Sequence, residues 1–541
     1  MIKRSFLIYN FLGRANDLSD LLPSERFATI AGILQEAGQE VRIRDGANVD
    51  TLCSYPPKLI ADVEELDLDS LEASPEFTAV LESEAQTVLA GEFDVVLLNF
   101  WRGPGFRLSV DLARALKQRR PETEIYAIGQ GIDRIRELVL EFAPELDGVI
   151  YGLGYESFAL LAAGAPREEI PNLIYLQDGE PRFTLQRVVD CVNDLPHEVY
   201  DPEVYEGIEG KFPIYPISLS NEACPFQCPF CMRPASYGTV QAVKDAANVV
   251  AEVRHLMENY GARYFRIVDS TPPFRALTAF AEAVIAEGLH LQGIHFSSFA
   301  RLDVNSSDDF ELLKRAGVEA LFFGIETLDE GNQRRIRKVH PYDNLKDTLR
   351  RVHAAGIFAV GSLIFPLPGE TEQSMRNTLE RLRELKPYLG TVLINPSGVY
   401  PNTEWRENPE KYGIEIDEDY DRRWPLYPVK YILPLRHWKP FPFRYGLMGK
   451  SAGEVSFADI VELHERFVRE IAEDIGISMR VQDYDLVASI LMGEHHDQLT
   501  GDLVETFVAT DYHRLRELVR TARKKNREEA EATASSAAVA E

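Results

Sequence analysis

Apolar positions along this chain follow two rhythms that alternate. In the first 165 residues, short runs rich in β-branched and aromatic side chains stand at 5–9, 40–44, 94–98, 124–128 and 148–151. Between them lie stretches whose apolar residues recur three and four apart. The stretch 24–38 offers Ser24 as a helix N-cap and Gly38 as a stop, and 106–120 repeats the pattern. Strands alternating with helices predict a parallel, doubly wound sheet, with any ligand beyond the carboxyl ends of its strands. The loops at those ends include Asn99-Phe-Trp101-Arg-Gly-Pro-Gly105, Gly129-Gln-Gly131 and Gly152-Leu-Gly154. Glycine there permits positive φ and close approach to a ligand, and it serves an ordinary turn equally well. Residues 166–213 then read as a linker, with a hairpin-like run around Asp178-Gly179.

The alternation resumes from 214 to 402. Strands are predicted at 214–218, 264–268, 294–297, 320–323, 358–365 and 391–395, with helices at 243–260, 274–287, 307–316 and 373–384 between them. Parallel barrels carry their chemistry at the C-terminal ends of strands. Past residue 402 the rhythm fades into a mainly helical region, 403–529, read as a cap or substrate region. Trp405, Trp424 and Trp438 there suit either an aromatic lid or an ordinary core. The Ala- and Ser-rich residues 530–541 read as a disordered tail.

Bulk properties narrow the class. A chain of 541 residues implies two to four domains. Its formal net charge of −28 argues against non-specific nucleic-acid binding, which needs clustered Lys and Arg. No apolar run approaches the roughly 20 residues of a membrane helix, and Met1-Ile-Lys-Arg leads into only a short apolar run, so no signal peptide is expected. Sparse, clustered cysteines fit a reducing compartment, and the chain reads as cytoplasmic.

Candidate chemistry concentrates in Asn221-Glu-Ala-Cys224-Pro-Phe-Gln-Cys228-Pro-Phe-Cys231-Met-Arg-Pro234, which holds three of the chain's five cysteines. Three thiolates from one loop can hold three corners of an iron–sulfur cube and leave the fourth iron open, whereas electron-transfer clusters normally have four cysteine ligands. A structural zinc site wants four closed ligands. Cys53 and Cys191 lie far away in sequence, and no histidine stands within twenty residues of the trio. A disulfide leaves one of the three over. His495-His496-Asp497 also invites a metal reading, with a solvated helix end as the simpler one.

The cysteine loop resembles the radical S-adenosylmethionine (SAM) superfamily, whose signature is C-x3-C-x2-C with an aromatic residue before the third cysteine, here Phe230. The resemblance implies a partial (β/α)6 barrel and a [4Fe-4S] cluster on Cys224, Cys228 and Cys231. The open iron would chelate SAM, and an electron would cleave its sulfonium to a 5′-deoxyadenosyl radical. It further implies SAM contacts from Phe230, from Asp269 after the second strand, from Ser297 and Arg301 after the third, and from Glu326 in Gly324-Ile-Glu326-Thr, which resembles the family's G-x-E element. Pro366-Leu-Pro-Gly-Glu370-Thr resembles the subgroup's GLPGET turn and reads as structural.

The first 165 residues resemble the cobalamin-binding domain that precedes this barrel in one large subgroup. That implies candidate cobalamin contacts at Asn99, Trp101, Gly129, Gly131, Gly152 and Gly154. The usual axial histidine of such domains is missing, since the first histidine in the chain is His197. A domain kept only as a scaffold is the alternative. With cobalamin, the resemblance implies methylation of an unactivated centre in a small molecule; without it, direct radical cyclisation, oxidation or rearrangement. A non-catalytic cobalamin or redox sensor is a further alternative. Methylthio transfer to RNA would need more cysteines in the first domain than Cys53. A reducing partner such as flavodoxin or ferredoxin is expected. The fold class that follows is α/β: a doubly wound parallel sheet, a partial radical SAM barrel and a mainly helical C-terminal region.

Overall fold

The computed structural model describes residues 3–56, 74–101, 103–189, 192–302, 309–427, 433–479 and 481–540. Cys191 and Arg102 lie outside them, as do the first residues of the helix expected at 307–316. The chain divides into two units. The first comprises Met1–Phe212 with two later segments, Asp419–Lys430 and Thr510–Arg520. Its strands β1 (Ser5–Asn10), β2 (Glu40–Asp45), β3 (Val95–Asn99), β4 (Glu124–Ile128) and β5 (Gly148–Ile150) are parallel, as the sequence predicts. Central strands β1 and β3 are almost wholly buried, as a sheet covered on both faces requires. Ser24 caps the first long helix by accepting from the Phe27 N–H.

Residues 166–213 are not a free linker. β6 (Leu173–Gln177) and β7 (Glu180–Phe183) form a hairpin antiparallel to β5, and β8 (Tyr205–Glu206) runs parallel to β2. The order is β7-β6-β5-β4-β3-β1-β2-β8, so this segment supplies both edges of the sheet. Leu173 and Ile174 are fully buried, and that burial holds the hairpin in place.

The second unit comprises Pro213–Glu418, Tyr431–Ala509 and Thr521–Glu541. Its six strands are β9 (Ile214–Ile217), β10 (Tyr264–Ile267), β11 (His295–Ala300), β12 (Val318–Glu326), β13 (Phe358–Ile364) and β14 (Thr391–Asn395). They are parallel and ordered β14-β13-β12-β11-β10-β9, each neighbour following in sequence. Helices such as Ala246–Tyr260, Phe274–Ala286, Tyr342–Ala354 and Glu372–Leu385 alternate with them. The C-terminal region is helical, with Phe457–Arg469, Asp483–Met492, His496–Ala509 and Tyr512–Ala540, plus a small ribbon of β15 (Ile414–Ile416) and β16 (Phe443–Tyr445). The last helix continues through the residues read as a disordered tail. Alanine is the strongest helix former, and the polar composition behind that reading does not oppose a helix. Among the described residues, no helix is long and apolar enough to cross a membrane.

Candidate active site

The cysteine loop follows β9 and is fixed from three sides. Asp269, just past β10, is fully buried. Its Oδ2 accepts from the Leu219 N–H at 2.6 Å, and its Oδ1 accepts from the Ser220 hydroxyl. Burial raises its pKa to about 6, against these hydrogen bonds. Asn221 clamps the far strand of the loop: its N–H donates to Ala242 O at 3.0 Å, its Oδ1 accepts from the Ala242 N–H at 3.0 Å, and its Nδ2 donates to Val240 O at 3.1 Å. Glu222, at φ 58°, pairs with Arg233 at 2.5 Å, and its carbonyl accepts from Ser270 Oγ at 2.9 Å. The Cys224 N–H donates to Gly238 O at 3.2 Å and the Cys231 N–H to Cys228 O at 3.0 Å. The cysteines are thereby held on backbone that is fixed before any ligand arrives.

Cys224 is buried, with its Sγ 3.7 Å from Thr271 Oγ1; Cys228 and Cys231 are half-buried. Burial pushes the Cys228 thiol up to about 11, with Lys338 and Arg301 opposing and Cys231 and Glu326 adding to it. The Cys231 thiol is raised by burial too, with Arg233 and Lys338 opposing and Cys224 adding to the rise. Metal loading would displace these protons. Three cysteine thiols presented by one braced loop fit a cluster that takes three protein ligands.

The remaining predicted SAM contacts divide. Arg301 reaches the loop: its guanidinium lies 3.4 Å from the centroid of the Phe226 ring. Glu326 ends β12 at φ 63°, where the pairing with β13 shifts register, and its Oε1 pairs with Lys338 Nζ at 2.7 Å. Phe230 packs on the buried Trp405 at 5.7 Å between ring centroids, and the Trp405 N–H donates to Pro229 O at 3.0 Å. This tryptophan is therefore core beneath the loop. Asp269 and Ser297 already have partners within the protein. Asp269 anchors the segment that leads to the cysteines. Ser297, fully buried, donates to Asp483 Oδ2 at 2.9 Å, and Arg266 of β10 pairs with the same carboxylate at 3.0 Å. The reason is that helix Asp483–Met492 packs against β9 to β12 and brings a buried acid to them. Nothing local in the sequence pairs residues 297 and 483. Lys338 was likewise not foreseen; its only signal was that a buried Glu326 would need a counter-charge.

The candidate cobalamin contacts belong to the first unit. Asn99 Nδ2 donates to Asn10 Oδ1 at 2.9 Å, and Asn10 Nδ2 donates to Asp45 Oδ1 at 2.7 Å. Asp45 Oδ2 accepts from Tyr205 OH at 2.7 Å and pairs with Lys211 at 2.9 Å. Gly129, at φ +107°, has no room for a Cβ, which would stand 2.0 Å from Asn99 Oδ1; one on Gly131 would stand 2.2 Å from Phe100 O. These glycines are needed for packing inside the unit. The Gly152 N–H donates to Asp133 Oδ1 at 2.8 Å, and Gly154 is left-handed at φ +62°. Trp101 is half-buried, with the Arg134 guanidinium 6.0 Å from its ring. His495 precedes, and His496 and Asp497 begin, a helix of the second unit, with His495 and Asp497 exposed, as a solvated helix end would be.

Comparison with known proteins adds the following. Residues 219–382 match the Radical SAM superfamily. The chain is 23% identical over 312 residues to an uncharacterized methyltransferase of Pyrococcus horikoshii, covering 56% of this chain and 66% of that protein. It is 26% identical over 270 residues to the anaerobic magnesium-protoporphyrin IX monomethyl ester cyclase of Cereibacter sphaeroides, covering 46% and 43%. The chain thus spans less than two thirds of the length of these curated relatives. Its fold is similar to that of the radical SAM methyltransferase TsrM from Kitasatospora setae, solved with cobalamin and a [4Fe-4S] cluster, at a TM-score of 0.66 and 14% identity, over 97% of this chain and 100% of that one.

Proposed function

We propose that this chain, which carries a radical SAM domain, is a cytoplasmic enzyme that reductively cleaves SAM and methylates an unactivated centre of a small molecule with cobalamin as methyl carrier. The observation that carries the reading is the pre-fixed loop that presents three cysteines, with Arg301 packed on its Phe226. Cys224, Cys228 and Cys231 would hold three irons of a [4Fe-4S] cluster and leave the fourth to SAM. When bound, the cluster supplies the electron that breaks the sulfonium to yield a deoxyadenosyl radical, and cobalamin supplies the methyl group. Arg301 offers a planar cationic fork suited to the SAM carboxylate, and Glu326 an acceptor for its ammonium or ribose hydroxyls. Asp269 and Asn221 act indirectly, by fixing the loop. A flavodoxin or ferredoxin would deliver the electron.

A second reading, radical cyclisation or rearrangement without cobalamin, draws on the first unit. There Asn99 already bonds to Asn10, and Gly129 and Gly131 leave no room for a Cβ against Asn99 and Phe100, which is how a scaffold would look. Corrinoid content separates the two. Protein purified anaerobically from cobalamin-fed cells should carry stoichiometric corrinoid and pass a labelled methyl group from SAM to product. Corrinoid-free protein that still cleaves SAM would overturn the methylation reading.

A further inference from the structure

In the reading so far Glu326 has a role, but the lysine buried against it, Lys338, has none. Lys338 and Glu326 side chains are only 12% and 10% exposed, with Nζ and Oε1 2.7 Å apart. Three features of the backbone are shaped around them. Glu326 takes φ 63°, which a non-glycine residue adopts only under constraint. The β12–β13 register shifts between Gly324 and Glu326. A Cβ on Gly324 would stand 2.4 Å from Lys338 Nζ and 2.6 Å from Glu326 Oε1, so the glycine leaves room for the pair.

The segment carrying Lys338 is also tied down. Gln333 O accepts from the Lys338 N–H at 3.0 Å, Gln333 Oε1 accepts from the His340 N–H at 3.3 Å, and Gln333 Nε2 donates to Thr327 O at 3.0 Å. One glutamine thus fastens the lysine segment to the end of β12. Arg337, the residue before Lys338, pairs with Glu404, and the backbone N–H of the next residue, Trp405, donates to Pro229 O between Cys228 and Cys231 at 3.0 Å, so the lysine segment is tied to the loop. A pair retained only for stability would be a weak device, since burying two charges costs about as much as their attraction returns. Its place beside the loop, on constrained backbone, points to an electrostatic task.

We propose that Lys338 is a positioning residue for the cluster: it fixes the Glu326 carboxylate in the ligand site and keeps a positive charge beside the cysteine loop that favours the reduced cluster. This rests on the cluster reading above. Reduction adds negative charge to the cluster, and a fixed cation in a poorly solvated site stabilises that charge.

The test is the midpoint potential of the reconstituted cluster without SAM, followed by electron paramagnetic resonance, with iron and sulfide content as the control for intact protein. Lys338→Met should lower the midpoint, because it removes the cation and leaves Glu326 uncompensated. Lys338→Arg should keep it near that of the natural protein, and the double variant Glu326→Gln/Lys338→Met should recover part of the loss. Should Lys338→Met fail to load, Glu326→Gln alone should raise the midpoint. An unchanged midpoint in a fully loaded Lys338→Met or Glu326→Gln protein overturns the inference alone. Natural protein that takes up no iron–sulfur cluster overturns the inference together with the reading beneath it.

Discussion

The two larger sheets of this chain finish their parallel strands with different chemistry. At the carboxyl ends of β1, β2 and β3, Asn10, Asp45 and Asn99 bond to one another and to Tyr205 and Lys211, so the polar groups are satisfied within the first unit. Past β9 and β10 the polar groups are also satisfied, and they brace a loop that presents three thiols. β12 adds a constrained acid with a paired lysine. In open α/β sheets ligands gather beyond strand ends, and both units place polar side chains there. The first unit offers amides and close-packed glycines at its strand ends, and the second offers thiols.

The largest effect should come from the loop. Replacing any one of Cys224, Cys228 or Cys231 by Ala should abolish SAM cleavage and cut bound iron while leaving the fold intact, as read by 5′-deoxyadenosine formation, iron content and circular dichroism. Persistent turnover would end the contrast between the sheets. Next, Asp483→Ala leaves Arg266 buried without its acid and should cost about 3–5 kcal/mol of stability, seen in the denaturant midpoint. The surviving folded fraction should still load iron.

Glu370 gives a pH signature of comparable size. Burial raises its pKa to about 7, with hydrogen bonds from Ser374, Leu367 and Asn332 opposing. The folded chain therefore holds a proton that the unfolded chain releases above its ordinary pKa of 4.5. Stability should fall as pH rises from 4.5 to 7, by up to about 3 kcal/mol, and level off above that. Glu370→Gln should flatten the slope in denaturation of the apoprotein between pH 5 and 8. The smallest effect tests the first sheet. Gly129→Ala places a Cβ against Asn99 at a positive φ and should destabilise that unit by more than about 1 kcal/mol, while iron loading stays unchanged. A loss of iron there would mean that the two units do not divide the work as described.

Much of this was legible in the sequence, for local reasons. All five strands predicted in the first 165 residues and all six predicted from 214 to 402 form, because each is a short β-rich run bounded by a helical repeat. The cysteine spacing located the loop, and Gly324-Ile-Glu326 located the end of β12. What escaped depends on contacts distant in sequence. Ser297 meets Asp483 across 186 positions, Asp269 reaches back to Leu219, and Lys338 closes on Glu326 over a helix. The hairpin Leu173–Phe183 escaped as part of a domain because its partner β5 is a strand of only three residues. A strand that short gives little sign of being a pairing edge.

The most direct test of the account is a single anaerobic experiment on the reconstituted full chain: iron and sulfide per chain, then 5′-deoxyadenosine released on addition of SAM and dithionite. The account predicts about four irons with matching sulfide and deoxyadenosine formed only when all three cysteines are present. Zinc in place of iron, or a full cluster with no deoxyadenosine, would contradict it.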